Sequence, residues 1–489
     1  MSTETTPSRT ADPLTATGDR PAPNTLRPNA VGVGELVFFV LSCAAPLTGM
    51  AGMVGLVFLL AGPIVPAGYL IAGAVYAVFA VGFTAMSRHL RNSGAFYAYV
   101  TAGLGRVAGA GSAVMAYVAY AVGEVGFAAA AGVFASLAMT EVAGLDVPWQ
   151  VSALVVAVVV SVLSYLKVNI GARVLGVLLV AEIGILFVMA VAVLVQGGYE
   201  GFSFDSFNPV NLATPSVGVL FVFTFIMFIG FEQTAVYSEE ARDPKRTVPR
   251  ATYLSIALLA GIFTFISWTV LMAAGPSRLE SLLADDPSSL MFNLNTEYVG
   301  EAVTGVMQLL IVTSFVAGVL AVHNASTRYL YSLGRERLIP AAFGRTDPRT
   351  RTPSVAGVVH AAAIVVALVG FGLTSLDPYT QIIVWTNTPT LVGVMALEIL
   401  TSVAVIRYLG RNRGGGETLW QRLVAPGLAT VLLGAVLVLV ISQMQLLTGL
   451  GALGNAIVLA PLVLGFVIGA LRAGRMRQTP APTTAELTH

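Results

Sequence analysis

Five glutamates lie inside long apolar runs of the sequence, where an ionisable side chain is unexpected: Glu35, Glu124, Glu182, Glu232 and Glu398. A charge in the middle of a hydrocarbon layer costs roughly 2.5–3.5 kcal/mol on insertion scales, so such a residue usually faces a cavity or a partner. We expect Glu182 to carry a proton or bind a cation, and Glu232 to have a functional role in the interrupted run that contains it. The alternative is a structural carboxyl, closing a hydrogen-bond network at Glu232 or bonded to the first predicted helix at Glu182.

The other three acids are expected to have supporting roles. Glu124 is close in sequence to Tyr117 and Tyr120, which predicts a carboxyl that accepts hydrogen bonds from tyrosines, with a place along a solute pathway as the alternative. Glu35 and Glu398 lie nearer the ends of their runs, where water is close. We expect them to be structural or to belong to a gate.

Metal, redox and nucleotide chemistry are not indicated. The four histidines, His89, His323, His360 and His489, are scattered and predict no metal-ligand cluster, and the single Cys43 cannot form an intramolecular disulfide. The phosphate-binding pattern Gly-x-x-x-x-Gly-Lys-Ser/Thr, a nucleophile–base pair and any cofactor motif are lacking from the sequence. The sequence therefore predicts a protein that is not an enzyme and needs no cofactor. His323 and Asn324 are expected to bond across helices, with His323 as a packing residue and a proton relay as the alternative.

Composition places these acids in a membrane. Of the 489 residues, 56% are hydrophobic and 10% are charged, whereas a soluble globular protein carries about 25% charged residues. The 26 Lys and Arg nearly balance the 25 Asp and Glu, so no nucleic-acid partner is indicated. Long continuous apolar runs exclude a β-barrel, which needs short segments of alternating polarity.

Twelve apolar runs are long enough to cross a bilayer as helices, which takes about 20 residues each. They fall at about 35–60, 65–86, 107–137, 149–167, 174–196, 215–237, 251–274, 302–327, 355–374, 379–406, 423–445 and 451–471. With the N-terminus in the cytoplasm, every Lys and Arg except Arg278 falls on the cytoplasmic side, as positively charged loops do in inner-membrane proteins. A missed or invented span would have destroyed this asymmetry.

Two of these runs are interrupted near their middle. The first contains Pro46, Gly49 and Gly52, which remove a backbone donor and helix-stabilising side chains. The sixth contains Gly230 followed by Glu232. Irregular backbone at that depth is tolerated where protein or a watery cavity satisfies it, although a proline kink between packed helices is the alternative.

The two interrupted runs are five spans apart, and a repeat of five spans must insert with opposite orientation. Broken helices in corresponding positions are the signature of an inverted repeat with a binding site where the breaks meet. We therefore predict a substrate site formed by Ala45, Pro46, Leu47, Thr48, Gly49, Ala51, Gly52, Phe228, Gly230, Phe231 and Glu232.

Several segments resemble the amino acid–polyamine–organocation transporters. They are Gly-Phe-Glu at 230–232, Glu-Glu-Ala-Arg-Asp-Pro at 239–244, Thr-Val-Pro-Arg-Ala at 247–251, Arg-Asn-Ser-Gly-Ala-Phe-Tyr-Ala-Tyr at 91–99 and Ser-Thr-Arg-Tyr-Leu-Tyr-Ser-Leu-Gly-Arg-Glu-Arg-Leu-Ile-Pro at 326–340. The resemblance extends from about 35 to 406. It implies two inverted five-helix repeats and alternating access around a central site.

The resemblance also suggests roles for individual residues. In that family the first break carries a Gly-Ser-Gly-like run that holds a carboxylate, whereas this chain has residues 46–52 of different sequence. Many proton-coupled relatives have a lysine at the position of Glu182, so the sign of the charge is reversed and both a proton and a sodium ion stay open. By resemblance Glu232 senses protons or links two gates. Among Phe225, Phe228 and Phe231, the last two are the candidates for a lid over substrate.

The sequence as a whole predicts an all-α polytopic membrane protein with twelve spans: a five-plus-five inverted repeat and two further helices. We expect a disordered cytoplasmic tail at 1–30 that is not a signal peptide, repeats at 31–200 and 201–410, helices 11 and 12 at 411–475, and a second disordered cytoplasmic tail at 476–489. The expected function is import of an amino acid across the cytoplasmic membrane, by proton symport or exchange. A polyamine or ethanolamine permease and a membrane sensor without turnover are the alternatives.

Overall fold

A computed structural model describes residues 31–90, 95–166, 172–212, 216–236, 241–347, 349–350, 352–412 and 415–476. The two predicted tails, apart from Met476, lie outside the described residues. So do residues 91–94 and 239–240, which contribute to two of the motifs above.

The described chain is built from α-helices, and its β-structure is limited to isolated bridges between Val31 and Ala241 and between Thr346 and Pro353. In chain order the helices are α1 Val33–Ala44, α2 Pro46–Ala51, α3 Val54–Ala61, α4 Val65–Ser87, α5 Ala95–Leu104, α6 Arg106–Ala143, α7 Trp149–Leu166, α8 Ala172–Gln196, α9 Val217–Ile226, α10 Gln233–Val236, α11 Pro244–Ala274, α12 Leu279–Asp285, α13 Leu290–Tyr298, α14 Glu301–Arg335, α15 Ser354–Gly372, α16 Ile383–Arg411, α17 Ala425–Ser442, α18 Met444–Thr448 and α19 Ala452–Arg475.

Eleven helical stretches among the described residues are long and apolar enough to cross a membrane. The sixth predicted run is the one missing from that set. There the apolar helix α9 has only ten residues, because the helix stops at Ile226 and resumes as the four-residue α10. The all-helical polytopic fold is confirmed, whereas the count of twelve is not, since the sixth run is interrupted. The division into two repeats stays a prediction.

Long helices pack around the interrupted ones. The first helix α1 lies against α11 and α14, and α9 lies against α4 and α17. The longest helix, α6, packs against α14, α16 and α19. The interrupted segments are therefore held from several sides by continuous helices.

Small residues let these helices approach closely. A Cβ atom added at Gly132 would lie 2.6 Å from the Cβ of Ala153, and one added at Gly469 would lie 2.4 Å from the carbonyl oxygen of Ala110. Close backbone contact through small residues is how helices associate in a bilayer. The peripheral helices expose large apolar side chains, including Val366 at 71% and Ile457 at 64%, as expected of surfaces that face lipid.

Candidate substrate and ion sites at two helix breaks

The first break separates α1 from α2 at Ala45. Ala45 has φ +44° and ψ 72°, a left-handed conformation, and Pro46 follows without a backbone N–H. Helical bonding resumes when the N–H of Gly49 donates to the carbonyl of Ala45 at 3.1 Å. A second interruption at Gly52 and Met53 separates α2 from α3. The predicted break at 46–52 is thus confirmed as two interruptions around one short helix.

The sixth break covers residues 227–232, between α9 and α10. Its backbone bonds connect residues three apart, for example Phe228 N–H to Phe225 carbonyl at 3.1 Å. Gly230 has φ +117°, a conformation that side-chain-bearing residues rarely adopt. Its N–H donates to Glu232 Oε2 at 2.7 Å. The predicted interruption at Gly230 is confirmed.

The two breaks are in contact with each other. A Cβ atom added at Gly230 would lie 2.9 Å from Sγ of Cys43, at the end of α1. One added at Gly49 in α2 would lie 2.8 Å from Sδ of Met227, in the sixth break. Both glycines therefore allow close approach, and the contact brings together the two segments predicted to hold substrate.

Glu232 connects the sixth break to α6. Its Oε2 accepts the Gly230 N–H and its Oε1 accepts the hydroxyl of Tyr120 at 2.5 Å. Tyr120 in turn stacks on Tyr329 of α14, with ring centroids 5.6 Å apart. Glu232 is 2% exposed, and each of its carboxylate oxygens has a donor.

A chain of hydroxyls connects the first break to Glu182 of α8. Thr48 Oγ1 in α2 donates to Ser314 Oγ of α14 at 3.0 Å, and Ser314 Oγ donates to Glu182 Oε2 at 2.8 Å. The predicted bond between Glu182 and the first helix is thus indirect, through Ser314. Beside it lies a cavity of about 20 Å³ lined by Ser42, Leu178, Leu179, Glu182, Thr313, Ser314 and Ala317, large enough for one water-sized guest.

Aromatic rings enclose the sixth break. Tyr76 of α4 lies within 5.2–5.4 Å, centroid to centroid, of Phe225, Phe228 and Phe231. These four side chains are fully buried. The cluster continues from Phe231 to other phenylalanines of α4 at T-shaped angles, so an apolar wall adjoins the polar backbone of the break.

A family profile described as amino acid permease matches residues 35–468. The chain belongs to the amino acid permease family. The match covers both breaks, Glu182 and every helix from α2 to α18 in full. The expected resemblance to amino acid–polyamine–organocation transporters is thereby confirmed, and the protein is a multi-pass membrane protein of a transporter family.

This permease is similar in sequence to relatives that are named for different substrates. A branched-chain amino acid permease of Bacillus subtilis is 23% identical over 73% of this chain and 76% of its own length. A histidine permease of Lactococcus lactis is 36% identical over 27% of this chain and 28% of its own length. A low-affinity putrescine importer of Escherichia coli is 28% identical over 30% of this chain and 31% of its own length.

The prediction that Glu124 of this permease accepts hydrogen bonds from tyrosines is wrong, whereas a place along a solute pathway stays a prediction. Its carboxylate bonds to two histidines: Oε1 lies 2.7 Å from His323 Nδ1 and Oε2 lies 2.7 Å from His360 Nε2. Tyr120 donates to Glu232 instead, and the Tyr117 hydroxyl lies 3.5 Å from His360 Nδ1. The expectation that the histidines form no cluster is also wrong, since two of them meet this acid.

The remaining sequence predictions had mixed outcomes. Glu35 accepts the N–H of Gly32 and caps α1, as a structural acid would. Glu398 is 1% exposed, and neither of its carboxylate oxygens has a hydrogen-bond partner among the described residues, so the prediction that water is close to it is wrong. Asn324 accepts a hydrogen bond from Ser164 of α7 at 2.7 Å, which confirms bonding across helices.

Sequence reasoning missed Ser314, Tyr76, His360 and Cys43 as neighbours of the candidate groups. Ser314 was detectable in principle, because a small polar residue in an apolar helix commonly bonds across a helix interface. His360 was not, because its partner is more than 200 residues away in the chain and the facing of α15 towards α6 is set by packing alone.

Proposed function

We propose that this permease is a secondary transporter that imports an amino acid across the cytoplasmic membrane by alternating access. The observation that carries the proposal is the contact between two interrupted helices, Gly230 against Cys43 and Gly49 against Met227. Interrupted helices within apolar spans present backbone N–H and carbonyl groups that a continuous helix would consume. Those groups suit a solute that carries both an ammonium and a carboxylate.

The proposed substrate site combines polar backbone with an apolar wall. Its residues are those predicted from the sequence: Ala45, Pro46, Leu47, Thr48, Gly49, Ala51, Gly52, Phe228, Gly230, Phe231 and Glu232. The aromatic cluster of Tyr76 and the phenylalanines around the sixth break supports a substrate with an apolar side chain. A polar side chain would lose its water there without gaining a hydrogen-bond partner. Similarity to the branched-chain amino acid permease over most of both chains supports the same class.

An amine without a carboxylate, such as putrescine, is the second candidate, supported by the similarity to the putrescine importer. Such a substrate needs an acid that is free to bind it. Glu232 is the acid at the breaks, and its two oxygens already accept hydrogen bonds from Gly230 and Tyr120. This arrangement favours the amino acid, and Glu232→Gln separates the two: binding that survives the substitution argues against the amine.

Coupling is assigned to Glu182, with Glu232 as the second acid at the breaks. The hydroxyl chain from Thr48 through Ser314 to Glu182 joins the first break to this carboxyl. A protonated Glu182 would be neutral, whereas an ionised one would attract a cation into the adjoining cavity of about 20 Å³. The driving ion is therefore a proton or a sodium ion, both of which suit one carboxylate with hydroxyl neighbours.

The orientation follows from the distribution of positive charge, which supports cytoplasmic termini and a place in the cytoplasmic membrane. The proposed repeats span 31–200 and 201–410, with helices of 411–475 packed outside them. Of the 26 Lys and Arg, Arg278 alone falls on the outer side in this topology, where it forms an ion pair with Glu297 at 3.1 Å.

Counterflow of labelled solute in proteoliposomes tests the function. Leucine, isoleucine, valine, histidine and putrescine are offered in turn, and thermal-shift measurements on the purified protein report binding. We expect an apolar amino acid to raise the melting temperature and to exchange. Binding without exchange would identify a sensor, and exchange of putrescine alone would identify an amine permease.

Glu182→Gln tests the coupling. We expect the variant to lose accumulation driven by an inward proton or sodium gradient, because the neutral amide neither releases a proton nor attracts a cation. The matched control is Glu141→Gln, at an exposed position near the end of α6, which should accumulate substrate like the native protein. Full gradient-driven accumulation in Glu182→Gln would contradict the assignment.

A further inference from the structure

A buried cluster of three titratable groups joins helices that carry neither break. Glu124 comes from α6, His323 from α14 and His360 from α15, and their side chains are 1%, 2% and 0% exposed. Each imidazole offers one nitrogen to a different oxygen of Glu124, at 2.7 Å in both cases. The two imidazole rings lie 4.8 Å apart, centroid to centroid.

The number of protons in the cluster decides its charge. An ionised Glu124 with two neutral imidazoles carries one net negative charge, which is costly in a low-dielectric interior. One added proton makes the cluster neutral, as a carboxylate paired with an imidazolium and a second, neutral imidazole. Since the carboxylate already bonds both rings, the proton can be held by either ring without rearrangement of the heavy atoms.

Several other titratable groups on the helices packed around the cluster have different partners. Tyr117 of α6 is the exception, because its hydroxyl lies 3.5 Å from His360 Nδ1. Elsewhere Glu182 of α8 bonds Ser314, Tyr165 of α7 bonds Asp347, Arg472 of α19 bonds the Leu338 carbonyl, and Tyr329 of α14 stacks on Tyr120. Glu398 of α16 is buried, and neither of its carboxylate oxygens has a hydrogen-bond partner among the described residues. Among the described residues, the ion-pair partners of Glu124 are the two histidines.

The hydrogen-bonded spacing fits a proton better than a metal ion. Ligand atoms about 2.0–2.1 Å from one tetrahedral zinc lie about 3.3 Å from each other. Here each nitrogen is 2.7 Å from its oxygen, which is the distance of a direct charge-assisted hydrogen bond. A divalent ion would also leave a net positive charge in the buried cluster.

Two of the three helices, α6 and α14, also form hydrogen bonds to the breaks. On α6, Tyr120 lies four residues before Glu124, one helical turn away, and donates to Glu232 in the sixth break. On α14, Ser314 accepts the Thr48 hydroxyl of the first break, and the same helix continues to His323. A change in the interaction between α6 and α14 would therefore affect Tyr120 and Ser314, which bond the sixth and the first break.

We propose that Glu124, His323 and His360 form a proton-binding site that is loaded and emptied in step with the substrate cycle. The site is distinct from Glu182, and the proposal rests on the transport function above. Loading adds one proton to an imidazole nitrogen, and unloading returns it to water, so no other bond is made or broken. Protonation strengthens the interaction of α6 with α14 and α15, because one of the two hydrogen bonds becomes a carboxylate–imidazolium ion pair.

Nitrogen NMR of histidine-labelled protein reads the site directly, because the chain has four histidines. Their signals are assigned with His323→Gln and His360→Gln, and His89 is a matched reference, since it also lies 2.7 Å from an acid, Glu417, but nearer the surface. We expect an imidazolium signal from the buried pair that disappears in Glu124→Gln, while His89 is unchanged. Two neutral buried imidazoles from about pH 5 to about pH 8, the range in which histidine normally titrates, would overturn the proposal.

Proton exchange on substrate addition tests the coupling. In lightly buffered solution with a pH indicator dye, the native protein and His89→Gln should take up or release protons when substrate binds. In a Glu182→Gln background, which removes the other proposed proton carrier, Glu124→Gln should reduce this change at least about fivefold, since binding and protonation are linked reciprocally. An undiminished proton change on adding Glu124→Gln to that background would overturn the proposal. Zinc and a chelator are added in turn, and a change in the imidazole signals caused by either would identify a metal site instead.

The two proposals fail in different measurements. The NMR experiment needs no substrate and reads only the cluster. Counterflow needs no titration and reads only the transport function. A permease that exchanges amino acids with two neutral buried imidazoles would contradict the proton site alone, whereas a buried imidazolium in a protein without exchange would contradict the transport function alone.

Discussion

At the scale of single residues, the sixth break depends on Gly230 and Glu232. The φ of +117° at Gly230 directs its N–H to the Glu232 carboxylate, and the absence of a side chain admits Cys43. The sequence predicted the glycine and the acid, because both are anomalous in an apolar run. It could not predict that Tyr120 supplies the second donor, since that contact spans 112 positions in the chain.

Gly230→Ala should destabilise the protein and abolish transport. A residue with a side chain pays roughly 1–3 kcal/mol to adopt this backbone conformation. The added Cβ would also lie 2.9 Å from Cys43 Sγ. The matched control is Gly261→Ala in α11, where an added Cβ meets no atom within 4 Å. Melting temperature in detergent and counterflow rate measure both effects. Equal behaviour of the two variants would contradict the role given to Gly230.

At the scale of elements, the first break has a sharper cause than the sequence suggested. Pro46 and the glycines at 49 and 52 predicted an interruption somewhere in this region, because each weakens a helix. The turn itself is made by Ala45, whose left-handed φ of +44° reverses the local backbone. An alanine in the sequence does not predict a left-handed conformation, so only the structure shows that Ala45 is the strained residue.

Ala45→Gly should maintain or raise stability, whereas Ala45→Val should lower it. Glycine adopts positive φ without penalty and a β-branched residue adopts it worst, so the two variants should differ by roughly 1–3 kcal/mol. The reference is Ala362→Gly on the exposed face of α15, where glycine should destabilise the helix by about 0.5–1 kcal/mol. Melting temperatures give the order, and loss of stability in Ala45→Gly equal to that in Ala362→Gly would refute the strain.

At the scale of the whole molecule, hydropathy and charge predicted the polytopic helical fold, and proline, glycine and an acid within apolar runs predicted the two interruptions. Each of these features depends on residues that are close together in the chain or on the composition of a loop, so a single sequence is enough to recognise it. Contacts such as Glu124 with His323 and His360 depend on how α6, α14 and α15 rotate against each other, which hydropathy does not encode. For the same reason Glu398 was expected near water but is enclosed.

The central claim, that the two meeting breaks form the substrate site, is tested most directly by the reactivity of Cys43. This single cysteine is partly exposed and lies beside Gly230 of the sixth break. Alkylation by N-ethylmaleimide is followed with and without an amino acid that exchanges in counterflow. The control protein is Cys43→Ser combined with Glu141→Cys, which carries its thiol on an exposed helix end and should react equally under both conditions. Our account predicts that saturating substrate slows alkylation of Cys43 several-fold; an unchanged rate would contradict it.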